Sequence, residues 1–315
     1  MTRNFILFFL SIFIFFTSKL NAKSCLSFLP YAFNEHYVHL PQNKVFCVKN
    51  SKKKITYITD KYGARILNNN LTKNNIQVFG DSQVLGLDIN YKKDHFLNNL
   101  YNNKNFLIYA APNNGPYEVI NFLNKNKKIL KKKIIVTFNF STDLFRVSSD
   151  WEPKNFVALR DYELDNILES PFKYKFIIFK NFLINKNFTL ATYNNKKMQN
   201  FFLNSDHNEL NKNLVNYFKE LNIFADDSNL EITFIAIQPY WIYSINKKKN
   251  HLIFEKKLSK QIISLICNSF QVTKNISRIY ISKEKHNLSI DALTFDRRHL
   301  KSDKIILEDF KNYCS

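Results

Sequence analysis

Ile76-Gln77-Val78-Phe79-Gly80-Asp81-Ser82-Gln83 is the stretch on which the fold turns. Ile76 to Phe79 read as a short strand. Gly80 lets the backbone turn tightly at its end, because it has no Cβ to clash. Asp81 and Ser82 follow at once, so a hydroxyl is set at the carboxyl edge of whatever sheet the strand joins. Ligands bind at that edge in open α/β folds. A serine hydroxyl alone is a weak nucleophile and needs a base. A helix starting just after Ser82 would also point backbone N–H groups at a substrate and hold an oxyanion.

Outward from this stretch, short apolar runs alternate with amphipathic ones. Phe106 to Ala110, Ile134 to Phe138, Glu231 to Ile237 and Arg278 to Ser282 read as further strands. Ile134 to Phe138 is continuously apolar apart from Thr137, as a central parallel strand is. Helices are expected at 117–126, 207–222, 255–269 and 301–313, the last carrying Ile305, Ile306 and Leu307. Strands alternating with helices imply βαβ units and an α/β fold around a parallel sheet of about five strands. Residues 23–75 read as an N-terminal extension, with strands at Val45 to Val48 and Lys54 to Ile58 and a turn at Asp60 to Gly63. Residues 76–315 form the main domain, and 144–204 break its rhythm as an insertion after the third strand.

The chain has 315 residues, 45% of them hydrophobic, enough for one large buried core or two modest ones. Four glycines and seven prolines exclude collagen-like and Pro/Gly low-complexity classes. Arg3, the apolar run Phe5 to Phe16 and the small residue Ala22 have the layout of a secretory signal peptide over residues 1–22. The alternative is an uncleaved N-terminal anchor. Either reading exports the bulk of the chain, to the periplasm or outside the cell. Cys25, Cys47, Cys267 and Cys314 then favour disulfides. Proximity in sequence favours Cys25–Cys47 and Cys267–Cys314 among the three pairings.

The formal net charge is +20, and losing Arg3 and Lys19 with residues 1–22 leaves +18. That charge favours anionic surroundings, such as an acidic polysaccharide or a lipid surface with peripheral membrane association. The bland alternative is that lysines simply solvate the surface. Export disfavours nucleic acid. No CxxC or HxxxH spacing suggests a metal, and no GxGxxG suggests a dinucleotide, so the reading calls for no cofactor. No Gly-x-Ser-x-Gly elbow is present, which disfavours a classical α/β-hydrolase.

The base for Ser82 is sought near the other end, in Asp296-Arg297-Arg298-His299. That spacing lets the Asp296 carboxylate orient the His299 ring and stabilise the imidazolium formed on proton transfer. Asp94-His95 and Asp206-His207 sit in polar stretches and read as surface pairs.

With Gly80-Asp81-Ser82 after the first strand and Asp296-x-x-His299 near the end, the chain resembles the SGNH hydrolases of the GDSL esterase/lipase superfamily over residues 55–310 or so. The stretch Thr59 to Arg65 is similar to a lead-in of bacterial members linked to cell-surface polysaccharide. The resemblance implies a three-layer, flavodoxin-like fold and a Ser82–His299–Asp296 triad. It also implies an oxyanion hole from the Ser82 and Gly115 backbone N–H groups and a third block after strand three. That third block departs from the family's Gly-x-Asn-Asp. Aligned on Asp143, Thr142 stands at the asparagine, Phe140 at the glycine, and Asn139 lies three positions away. The remaining oxyanion donor is then the Thr142 hydroxyl, or is rebuilt from Asn139, or is absent; loss of one oxyanion donor costs about 3–4 kcal/mol. The expected activity is hydrolysis of an acyl ester, such as an acylated carbohydrate of the envelope. Two alternatives are acyl transfer to a sugar hydroxyl by the same triad and a non-catalytic binding protein of the same fold.

Overall fold

The computed structural model describes residues 25–26, 29–49, 53–67, 75–87, 89–90, 92–101, 104–147, 159, 163–164, 168, 207–237, 260, 263–264, 266–268, 276–282 and 301–310. The N-terminal stretch contributes β1 (Ala32–Phe33), β2 (Val38–His39), the hairpin β3 (Val45–Lys49) and β4 (Lys54–Ile58), and β5 (Arg65–Ile66). The main run follows as β6 (Asn75–Gly80), β7 (Asn105–Ala110), helix α1 (Pro116–Lys125), β8 (Lys133–Asn139) and helix α2 (Phe140–Arg146). It ends with helix α3 (His207–Asp227), β9 (Glu231–Ile237), β10 (Ile276–Ser282) and β11 (Leu307–Asp309). Of the helix expected over 255–269, the described residues 260, 263–264 and 266–268 are helical.

The apolar runs do form a sheet. Its order is β11-β10-β9-β8-β6-β7-β5, with β7, β6, β8, β9 and β10 mutually parallel. Numbered along the chain, the five parallel strands stand in the order 2-1-3-4-5, a common doubly wound arrangement. Its crevice at the carboxyl edge lies between the first and third strands, here β6 and β8.

Successive residues of each strand point to opposite faces, and each face has its own core. Phe79, Val136, Phe138, Phe234 and Ala236 pack with Val119, Leu123, Leu214, Tyr217 and Phe218 of α1 and α3. Val78, Ile108, Ile135 and Ile235 pack on the other face with Val84, Leu85, Phe96, Leu97 and Tyr57. Phe138 is wholly buried, and truncation of such a side chain to alanine costs about 3–5 kcal/mol. Among the described residues no helix is long and apolar enough to cross a membrane.

Cys25 and Cys47 form a disulfide, tying the chain's start to β3. Cys267 is disulfide-bonded as well, and its expected partner Cys314 lies outside the described residues. Such bonds persist in oxidising compartments, consistent with export. Residues 1–24, which hold the expected signal peptide, and most of the 144–204 insertion also lie outside the described residues.

Three expectations are corrected. Over the described residues 301–310 the helix expected over 301–313 is not formed: Ser302–Lys304 is a short 3-10 turn and β11 pairs antiparallel with β10, Leu307 opposite Ser282. A bare outer edge of β10 would expose unpaired backbone groups, and β11 covers it. Ile305 is 2% exposed and Ile306 45%, so the apolar triplet alternates in and out. No regular helix starts after Ser82 either; Ser82 to Leu87 is a run of turns, with Gly86 at φ +69°. Finally, His95 is no surface residue: it is 1% exposed, while Asp94 beside it is exposed. Of the other such pair, His207 opens α3 and Asp206 lies outside the described residues.

Candidate functional site

The site grows from the end of β6. Gly80 sits so close to β8 that an added Cβ would collide with Thr137 Oγ1. Thr137 Oγ1 also donates to Phe79 O at 3.1 Å, locking the two strands together at their carboxyl ends. Asp81 and Ser82 emerge there, both buried, between β6 and β8.

Asp81 braces the two sides of this crevice. Its Oδ1 accepts the Gln83 N–H at 2.8 Å, which fixes the turn that presents Ser82. Its Oδ2 accepts from Thr142 Oγ1 at 3.0 Å, Asn139 Nδ2 at 3.3 Å and Arg146 Nη1 at 3.3 Å. Arg146 Nη1 also donates to Asp143 Oδ1 at 3.1 Å and to Asn114 O at 2.8 Å. One buried guanidinium therefore joins the ends of β6, β7 and β8. The Asn139 N–H donates to Asp143 Oδ2 at 2.7 Å, closing the first turn of α2. Burial first, and then the negative charge of Asp81, push the Asp143 carboxyl up to about 8 against the opposing pull of Arg146.

The β7 side supplies Asn114 and Gly115. Asn114 Nδ2 donates to Gly80 O at 3.0 Å, and its Oδ1 accepts the Val38 N–H at 3.3 Å. Gly115 caps α1, and its N–H donates to Glu118 Oε2 at 3.0 Å. A Cβ on Gly115 would come within 2.5 Å of that oxygen, so the Glu118 side chain would have to shift to admit one.

A second clamp holds the turn after Ser82 from the opposite side. Arg65 is fully buried and donates to the carbonyls of Leu85, Gly86 and Ile89. Its guanidinium lies 4.2 Å over the Tyr57 ring. His95 Nε2 bonds Val84 O at 2.8 Å. Burial, with a smaller push from the Arg65 charge, lowers His95 to about 4 against the Val84 bond, so its ring is neutral near pH 7.

The C-terminal segment reaches the same edge. Antiparallel pairing of Leu307 with Ser282, the last residue of β10, means that the chain enters β11 at the sheet's carboxyl edge. Ser302 Oγ accepts the Phe96 N–H at 2.9 Å, next to His95, and Ile305 shares the core of Val84 and Leu85.

Thus Ser82, Asn139 and Thr142 come together around Asp81, with Gly115 one residue from Asn114 in the same network. Asp296 and His299 lie outside the described residues. The sequence reading gave no site role to Arg146, Asn114 or Arg65 and placed His95 at the surface. The spacing of Asp143 and Arg146, one helical turn apart, signals that pair alone; the partners of the others are distant in the chain. Compared with models of known protein families and with curated proteins, the chain matches none.

Proposed function

We propose that the chain is a serine esterase-type hydrolase of SGNH-like fold, with Ser82 as nucleophile, His299 as base and Asp296 orienting it. The observation that carries this reading is the convergence on one sheet edge. Ser82 follows β6 at the crevice between the first and third strands, and the chain enters β11 at that same edge. Ser302, three residues past His299, is tied to the segment whose His95 bonds Val84 O, two residues past Ser82. A sheet built this way supports delivery of an imidazole from far along the chain to the serine.

In the proposed cycle the Ser82 oxygen attacks the ester carbonyl while its proton passes to His299. The tetrahedral oxyanion collapses, the alcohol leaves with that proton, and water hydrolyses the acyl-enzyme by the same route. The Ser82 N–H is one oxyanion donor. The Gly115 N–H has to exchange Glu118 for the substrate oxygen to become another. Thr142 donates to Asp81, and its role is to hold the turn. The Asn139 amide also donates to Asp81. The substrate class we favour is an acylated carbohydrate of the envelope, in keeping with the basic surface.

One observation favours a second reading, a non-catalytic envelope binding protein. Both Thr142 and Gly115 already donate to carboxylates of the chain itself. Turnover of p-nitrophenyl acetate separates the two readings. The esterase reading expects turnover that Ser82→Ala abolishes; equal rates in both proteins would reject Ser82 as nucleophile. Adding a polysaccharide acceptor tests acyl transfer, which would give an acylated polymer in place of free acetate.

A further inference from the structure

We propose that a cleft at the amino edge of the sheet is a binding site for an acidic polysaccharide, separate from the Ser82 crevice. The cleft encloses about 570 Å³ between the starts of β6, β7, β8, β9 and β10. That size lies in the range of ligand sites. Among the described residues Lys104, Lys131, Lys133 and Arg278 line it, against one carboxylate, Glu231. The half-buried Glu231 pairs with the exposed Lys133 at 2.8 Å, which leaves the described lining of the cleft cationic.

The walls favour a sugar polymer over a membrane. Their polar part is hydroxyl and amide: Tyr101, whose OH lies 3.3 Å from Thr233 Oγ1, and Asn75. Asn75 Oδ1 is buried without a hydrogen-bond partner, an acceptor that a small side-chain rotation offers to a ligand hydroxyl. The apolar lining residues Ile134 and Ile135 are each 1% exposed and Ile76 is partly buried, so among the described lining residues no aliphatic side chain stands fully out to enter a bilayer. Cations, hydroxyl partners and one aromatic ring in a concave wall match a chain of sugars carrying carboxylates. β6 runs from this cleft to Gly80, a span of about 17 Å. A bound polymer is thereby held at the far edge of the sheet from Ser82. This inference stands apart from the ester chemistry and is tested without it.

The test is affinity for polygalacturonate, a carboxylated sugar polymer, in about 150 mM salt. Neutral dextran and phosphatidylglycerol vesicles run in parallel. Lys104→Glu/Lys131→Glu/Arg278→Glu is compared with Lys125→Glu/Lys212→Glu/Lys219→Glu, which alters exposed helix lysines by the same charge. The proposal expects polygalacturonate binding by the unaltered chain and none to dextran. It expects at least about tenfold weakening in the cleft variant and less than about twofold in the control. A lowered thermal melt identifies a loss of fold, and Lys104→Gln/Lys131→Gln then tests for weakened binding with less perturbation. Equal weakening in both charge variants, no binding of polygalacturonate, or binding to vesicles alone would each overturn it.

Discussion

Arg146 Nη1 lies 3.3 Å from Asp81 Oδ2, with both side chains buried, and this ion pair ties the serine-bearing turn to the helix after the third strand. The same nitrogen is 3.1 Å from the Asp143 carboxyl, which burial and the Asp81 charge keep protonated up to about 8, so the charged partner of Arg146 at neutral pH is Asp81. Removing one partner of a buried pair leaves uncompensated charge, at a cost of about 3–5 kcal/mol. Arg146→Met is therefore expected to lower stability by that amount in urea unfolding. A change below about 1 kcal/mol would mean the pair is solvated, as surface pairs are.

Stability should also depend on pH in a defined direction. Native Asp143 holds its proton up to about 8, whereas its ordinary value is 3.8. The native state thus binds the extra proton between those values, and stability from this group falls as pH rises toward 8. His95 acts oppositely: held near 4 against an ordinary 6.5, it makes stability fall as pH drops from 6.5 to 4. The two slopes oppose each other below 6.5, so the Asp143 effect stands clear between 6.5 and 8. Unfolding free energy measured across that window should decline in the unaltered chain, and Asp143→Asn should flatten the decline. An identical slope in both proteins would contradict the assignment.

The contact between Gly80 and Thr137 makes a third prediction. Gly80→Ala should destabilise by about 1–3 kcal/mol, the range for overpacking, because its methyl meets Thr137 Oγ1. Adding Thr137→Ala removes that atom and should recover part of the loss. A double-mutant cycle in denaturant reads the coupling; strict additivity would show that the two strands are not pressed together there.

The Cys25–Cys47 bond closes a loop with a sequence separation of 22. Loop-closure entropy for that length corresponds to about 3 kcal/mol. Cys25→Ser/Cys47→Ser should lose about this much in urea unfolding under oxidising conditions. No loss would mean the N-terminal stretch contributes nothing to the cooperative unit.

The strands that build the sheet were legible because the central parallel strands are buried on both faces and read as apolar runs, as Ile134 to Phe138 does. The antiparallel edges were not. Arg65–Ile66 is two residues long, and Leu307–Asp309 contains two acids. Runs so short carry no period, and Ile305-Ile306-Leu307 fits a helix as well as a strand. At the site, Gly80-Asp81-Ser82 was visible because a strand followed by a glycine turn is a local pattern. Arg65 was quoted as part of a motif, but its work on Leu85, Gly86 and Ile89 is tertiary. His95 was misread because the residues just before it, Lys92, Lys93 and Asp94, are charged. Its burial comes from Phe96 and Phe106, whose rings lie 4.7 and 5.7 Å from its own.

The central claim is that Ser82 is an activated nucleophile. Incubation with a fluorophosphonate, followed by mass analysis of the peptides, tests it most directly. The account predicts one adduct per chain, on Ser82, lost in Ser82→Ala and strongly slowed in His299→Ala. An unlabelled chain, or labelling that persists at the same rate in Ser82→Ala, would contradict it.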